Sequence, residues 1–231
     1  MAESLAQQLR IGVMAAALLA SWTAGADAAG PPEEKNLNRA EEIFRESLRS
    51  DDLERNRRYL QEILDLAPNS PYGHFSRGWF YAEEEKFPQA IDEYSEAVIE
   101  KPDFNEARHN LASAYFYSGQ FPMAIREYRK VLELNPLWAE AHLNLGTAYF
   151  MEEQPFLAIS EYEEALRLNP QLAVTHYYIG LVLDKMERWG EAHAQYSAFI
   201  QKEKGEDYRE YSDRARNRLE ELWVLLGRQA T

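Results

Sequence analysis

The chain has no cysteine among its 231 residues. That excludes disulfide staples, thiolate metal sites, a cysteine nucleophile and a cysteine-linked lipid anchor. Basic residues are few, 25 Lys and Arg against 39 Asp and Glu, which leaves a net charge of −14 and a pI of about 4.9. A surface of that sign repels phosphate backbones and anionic lipid heads, so nucleic acid is set aside as a partner. Long apolar runs are missing as well. The most extended one, "IGVMAAALLASW" at 11–22, has 12 residues, short of the ~20 that a membrane span needs. The sequence also lacks a P-loop, H-E-x-x-H, G-x-S-x-G and any convincing Ser/His/Asp set. The expectation is therefore no enzyme, no cofactor and no metal.

What is present is enough apolar material for a sizeable core, 45% hydrophobic against 28% charged. Residues 1–26 have the layout of a secretory signal peptide: Arg10, the apolar run, then small residues that offer A-x-A patterns ending at Ala26 or Ala28. Export, to the periplasm, is the expectation, with an uncleaved membrane anchor as the alternative; cleavage would leave no stable membrane span. Residues 27–36, with "GPPEEKN", are expected to be a linker, because two prolines and a charge cluster do not continue a helix.

From Pro71 the chain repeats itself every 34 residues, in units 71–104, 105–138, 139–172 and 173–206. The eighth place is small (Gly78, Ala112, Gly146, Gly180) and the twentieth is alanine (Ala90, Ala124, Ala158, Ala192). Tyrosine fills the twenty-fourth (Tyr94, Tyr128, Tyr162, Tyr196), and Pro102, Pro136 and Pro170 close the first three units. This spacing predicts two amphipathic helices per unit, packed through a seam where small residues let the backbones approach and the tyrosine rings fill the volume beside them. Gly146 facing Ala158 is one such expected pair. Residues 37–70 predict a degenerate fifth pair, with Ser47 and Asn56 at positions where an aromatic residue and alanine are expected. Residues 207–231 predict a capping helix and tail, with Tyr208, Tyr211, Ala215, Leu219, Leu222 and Leu226 at steps of three and four.

The segments "LGTAY" at 145–149, "AISEYEEAL" at 158–166 and "LNP" at 168–170 resemble the tetratricopeptide repeat family. The resemblance implies an all-α fold, a right-handed α-solenoid of antiparallel helix pairs closed by the C-terminal helix. It also implies a concave face, lined by the first helix of each pair, that binds a peptide or protein. The fourth place, often tryptophan in the family, holds His74, Arg108, His142 and His176, and the histidines are expected to serve as partly buried rings. Three ligands about 10 Å apart cannot share a metal whose bonds are about 2 Å.

Carried onto this sequence, the concave face is expected to present Phe75, Trp79, His109, Asn110, Ser113, Tyr117, Asn144, Thr147, Met151, Tyr177 and Tyr178. Aromatic residues of this kind supply large contact area for little lost side-chain freedom. Asn110 and Asn144, one repeat apart, offer amides suited to the backbone of an extended peptide. The expected function is an exported scaffold or adaptor that holds a protein segment in an envelope complex. The alternative is a structural homo-oligomer joined through its ends, where "WVLLG" at 223–227 exceeds what one apolar stripe requires.

Overall fold

The computed structural model describes residues 32–50, 52–203 and 208–229. The expected signal peptide, and residues 27–31 of the expected linker, lie outside them. The described residues form eleven α-helices and no strand, the all-α class expected from the repeat. None of these helices is long and apolar enough to cross a membrane. The chain divides into two compact units, one ending at Pro136 and one beginning at Leu137.

The first unit has three helix pairs: α1 (Pro32–Ser47) with α2 (Leu53–Leu66), α3 (Pro71–Glu83) with α4 (Phe87–Glu100), and α5 (Asn105–Tyr117) with α6 (Phe121–Leu134). Helix α1 begins inside the expected linker. Pro32 stands at its first position, where the missing N–H costs nothing, and Glu33 and Glu34 follow in the first turn, where the helix dipole favours negative charge. Asp52 caps α2 by accepting from Arg55 N, and Ser70 caps α3 by accepting from Gly73 N, with Pro71 next. The core joins the three pairs: Ile43, Phe44, Ile63, Phe75, Tyr94 and Phe104 are all 4% exposed or less. Phe44 meets the rings of Tyr72, Phe75 and Phe104 at centroid distances of 5.0–5.4 Å.

The second unit has α7 (Ala139–Met151) with α8 (Pro155–Leu168), α9 (Ala173–Lys185) with α10 (Trp189–Lys202), and the long α11 (Arg209–Gln229). Leu222 and Ala215 bring α11 into the core with no exposed surface. A buried leucine contributes about 2 kcal/mol. The Arg218 guanidinium grips Asp184 with both arms, at 2.6 and 2.7 Å, and Tyr211 meets Tyr177 edge-on at 5.1 Å. Those contacts cover the face of α9 that would otherwise stand open.

The small-residue seam is as close as the repeat implies. A Cβ on Gly146 would lie 2.7 Å from the Tyr162 ring and 3.0 Å from the Ala158 carbonyl, and one on Gly78 would lie 2.7 Å from Tyr94. In each of the four 34-residue repeats the turn between the two helices passes through a left-handed residue, Glu85, Gly119, Glu153 or Glu187. The fourth-place residues do more than fill space. Each bonds across its pair to the side chain nineteen residues later: His74 to Glu93 at 2.8 Å, Arg108 to Glu127 at 2.9 Å, His142 to Glu161 at 2.7 Å and His176 to Gln195 at 2.8 Å. Arg77, one turn further along α3, joins the first of these by reaching Glu93 at 3.0 Å.

Candidate protein-interaction site

The first helix of each pair carries the expected binding residues, and the structure sorts them by exposure. Phe75, Trp79, His109, Asn110, Ser113 and Tyr177 are 2–6% exposed, which makes them interior residues. For Phe75 the reason is its set of neighbours, since Phe44, Tyr94 and Phe104 enclose the ring at 5.0–5.7 Å. Trp79 packs edge-on against Phe80 at 5.2 Å, and the Arg57 guanidinium lies 5.9 Å from its ring centre. The degenerate pair α1–α2 thus takes the place of a ligand over that part of α3. Burial pushes the His109 imidazole down to about 4, against a small lift from Asn110, whose Oδ1 is 3.4 Å away.

Ser113 is occupied in a second way. Its hydroxyl donates to the His109 carbonyl at 3.1 Å, so its lone pair is left to accept the Tyr128 hydroxyl at 2.9 Å. Thr147 repeats the arrangement: its Oγ1 donates to the Leu143 carbonyl at 3.0 Å and accepts from Tyr162 at 3.2 Å. The ninth place therefore serves the buried tyrosine at the twenty-fourth. In the first copy Trp79 cannot do so. The Tyr94 hydroxyl is buried with no hydrogen bond among the described residues, and the Asn110 side chain lies beside it without bonding geometry.

Five expected residues keep exposed surface. In the first unit Tyr117 is half-buried, stacked on Phe87 at 5.6 Å. In the second, Asn144, Thr147 and Met151 follow one another along α7 at steps of three and four; the first two are half-buried and Met151 is 48% exposed. Tyr178 on α9 is half-buried, stacked on Tyr162 at 5.9 Å and edge-on to Tyr177 and Tyr211 at 5.8 and 6.2 Å. Nearby charge is paired: Lys185 lies 5.5 Å over the Phe150 ring and reaches Glu153 at 3.3 Å. An amide, a flexible thioether and rings whose polar groups are already bonded suit non-covalent contact with another chain. Among the described residues no group of three or more His, Cys, Asp or Glu could hold a metal ion.

Register alone misses several exposed apolar residues, two of them side by side. Phe156 and Leu157, at the start of α8, are 72% and 44% exposed. The signal is present in the sequence: the second helices begin "FP" at 87 and 121 but "PF" at 155, and the one-residue shift turns the ring from a half-buried position to solvent.

Three repeat-family models match the sequence. Two, described as tetratricopeptide repeat, match residues 41–103 and 139–172, and one, described as TPR repeat, matches 112–152. Between them they cover 124 of the 231 residues, more than half. The chain belongs to the tetratricopeptide repeat family. No curated protein shows significant sequence similarity to it. Among solved structures, a thermophilic TPR protein of Thermus thermophilus has a TM-score of 0.61 at 17% identity, covering 81% of this chain and 98% of its own. MamA from Desulfovibrio magneticus RS-1 has 0.59 at 20% identity, covering 76% and 97%. The first TPR of Spaghetti, bound to an HSP90 peptide, has 0.50 at 24% identity, covering 51% and 94%. These likenesses establish the fold as that of tetratricopeptide repeat solenoids.

Proposed function

We propose that this tetratricopeptide repeat protein is an exported, non-enzymatic scaffold that holds an extended segment of another envelope protein on the first-helix face of its second unit. The observation that carries the proposal is the accessible set Asn144, Met151 and Tyr178, on a face where Lys185 is paired with Glu153 and the Tyr162 hydroxyl with Thr147. A side-chain amide there can both donate to and accept from a bound backbone, while Met151 and Tyr178 supply adaptable apolar contact. Binding of a peptide by the first TPR of Spaghetti supports this use of the fold. Export rests on the pattern of residues 1–26.

Two measurements test it. N-terminal sequencing of protein recovered from the cell envelope is expected to read from Asp27 or Ala29; protein found only in the cytosolic fraction with Met1 retained sinks export. Crosslinked capture from the same fraction is expected to recover a partner that the Asn144→Ala, Tyr178→Ala double variant loses at unchanged helicity. Equal capture by both proteins refutes the site.

A further inference from the structure

Helix α11 has two faces with different fates. One buries Ser212, Ala215 and Leu222, and the other leaves Trp223 73% and Val224 46% exposed. Along the open side, Arg209, Asp213, Arg216, Glu220, Trp223 and Gly227 follow one another at steps of four and three, and all six are exposed. That alternation is the spacing of a helix seam that meets another helix. The seam has a reversed charge order about its midpoint at Arg218: Arg216 lies two residues before it and Glu220 two residues after. Arg216 makes only an ion pair along its own helix, to Asp213 at 3.2 Å, and Glu220 has no ion pair among the described residues.

We infer that α11 is a self-complementary interface that pairs antiparallel with α11 of a second copy about a two-fold axis at Arg218. Such an axis sets Arg216 against the partner's Glu220, and Glu220 against the partner's Arg216. The same operation makes both charge pairs, as two-fold symmetry requires. Trp223 falls opposite the partner's Asp213, which its own Arg216 already neutralises, and between the partner's Arg209 and the partner's Arg216. An indole takes up guanidinium groups and their alkyl stems by cation–π and apolar contact. Gly227 carries no side chain to obstruct the approach, and a Cβ there would meet nothing within 4 Å. The occupant is a second copy because the stripe supplies both members of each charge pair, whereas a foreign helix would have to match an order that this chain already matches with itself. This interface is separate from the peptide face and stands if that proposal fails.

Sedimentation velocity on the full chain in the micromolar range tests the pairing. Wild type is expected to sediment as a dimer. Arg216→Glu alone and Glu220→Arg alone each create two like-charge contacts per dimer and are expected to weaken it about thirtyfold. An equimolar mixture of the two variants restores both attractions and is expected to dimerise. Trp223→Ser is expected to be monomeric, and all three variants keep wild-type helicity because the changed side chains are exposed. A monomeric wild type overturns the inference. So does a dimer whose affinity either single reversal leaves unchanged, a mixture that associates no better than either variant alone, or a dimer retained by Trp223→Ser.

Discussion

Three of the four tyrosines at the twenty-fourth place differ in what their hydroxyls meet, and replacing each with phenylalanine separates the cases. Tyr128 donates to Ser113 at 2.9 Å, Tyr162 donates to Thr147 at 3.2 Å, and Tyr94 is buried with no hydrogen bond among the described residues. Tyr128→Phe removes a bond worth about 1 kcal/mol and strands a lone pair on a serine that is 6% exposed, for a loss of about 1–2 kcal/mol. Tyr94→Phe removes a buried hydroxyl whose desolvation is not repaid, for a gain of about 1 kcal/mol. Tyr162→Phe falls between, since its bond is longer and Thr147 is half-buried. The spread between Tyr94→Phe and Tyr128→Phe is then about 2–3 kcal/mol. With a urea slope of about 2 kcal/mol/M, that separates their midpoints by about 1 M. Urea titrations followed by far-UV circular dichroism read this directly. If Tyr94→Phe loses as much stability as Tyr128→Phe, the ninth-place hydroxyls do not do what the geometry assigns to them.

Two further outcomes follow from the same packing. Gly146→Ala is expected to destabilise by about 1–2 kcal/mol, as overpacking against Tyr162 and the Ala158 carbonyl exceeds the helix-propensity gain of about 1 kcal/mol. Gly190→Ala, where a Cβ meets nothing within 4 Å, is expected to be neutral or stabilising in the same urea titrations. His109 is held at about 4, below the ordinary 6.5, so the folded state binds fewer protons than the unfolded state between those values. The stability that neutral His109 permits is complete above pH 6.5 and is lost as pH falls toward 4, by up to about 3 kcal/mol. His109→Gln is expected to flatten that part of the pH–stability curve, and an unchanged slope refutes a buried neutral imidazole.

Much of the architecture was legible because helix pairs write their contacts at fixed spacing. The glycines at 78, 146 and 180 and the tyrosines sixteen residues later meet as the period implies. The start of α1 was less legible, since "PP" reads as a breaker until Pro32 is recognised as a first helical residue. The binding face was only partly legible. Register places a side chain on a helix face but does not say what covers it: Phe44 and Phe104 cover Phe75, and Arg57 covers part of Trp79. The hydroxyls of Ser113 and Thr147 suited a ligand as well as they suit Tyr128 and Tyr162. Only the distance between helices decides which they meet. The nineteen-residue link from each fourth place was readable in principle, because glutamate or glutamine stands at 93, 127, 161 and 195.

A chain that repeats one interface risks joining the wrong halves while it folds, and repeat proteins are prone to such misassembly. The small differences between copies work against it. Were α5 to seat on α8, the Ala112 methyl would enter the space beside Tyr162 that Gly146 leaves open to within 2.7 Å. Were α3 to seat on α6, Trp79 would replace Ser113 and leave the Tyr128 hydroxyl without its acceptor. What looks like drift among the units thus acts as a partial address, steering α3 and α5 away from these wrong second helices at the moment when several similar ones are within reach.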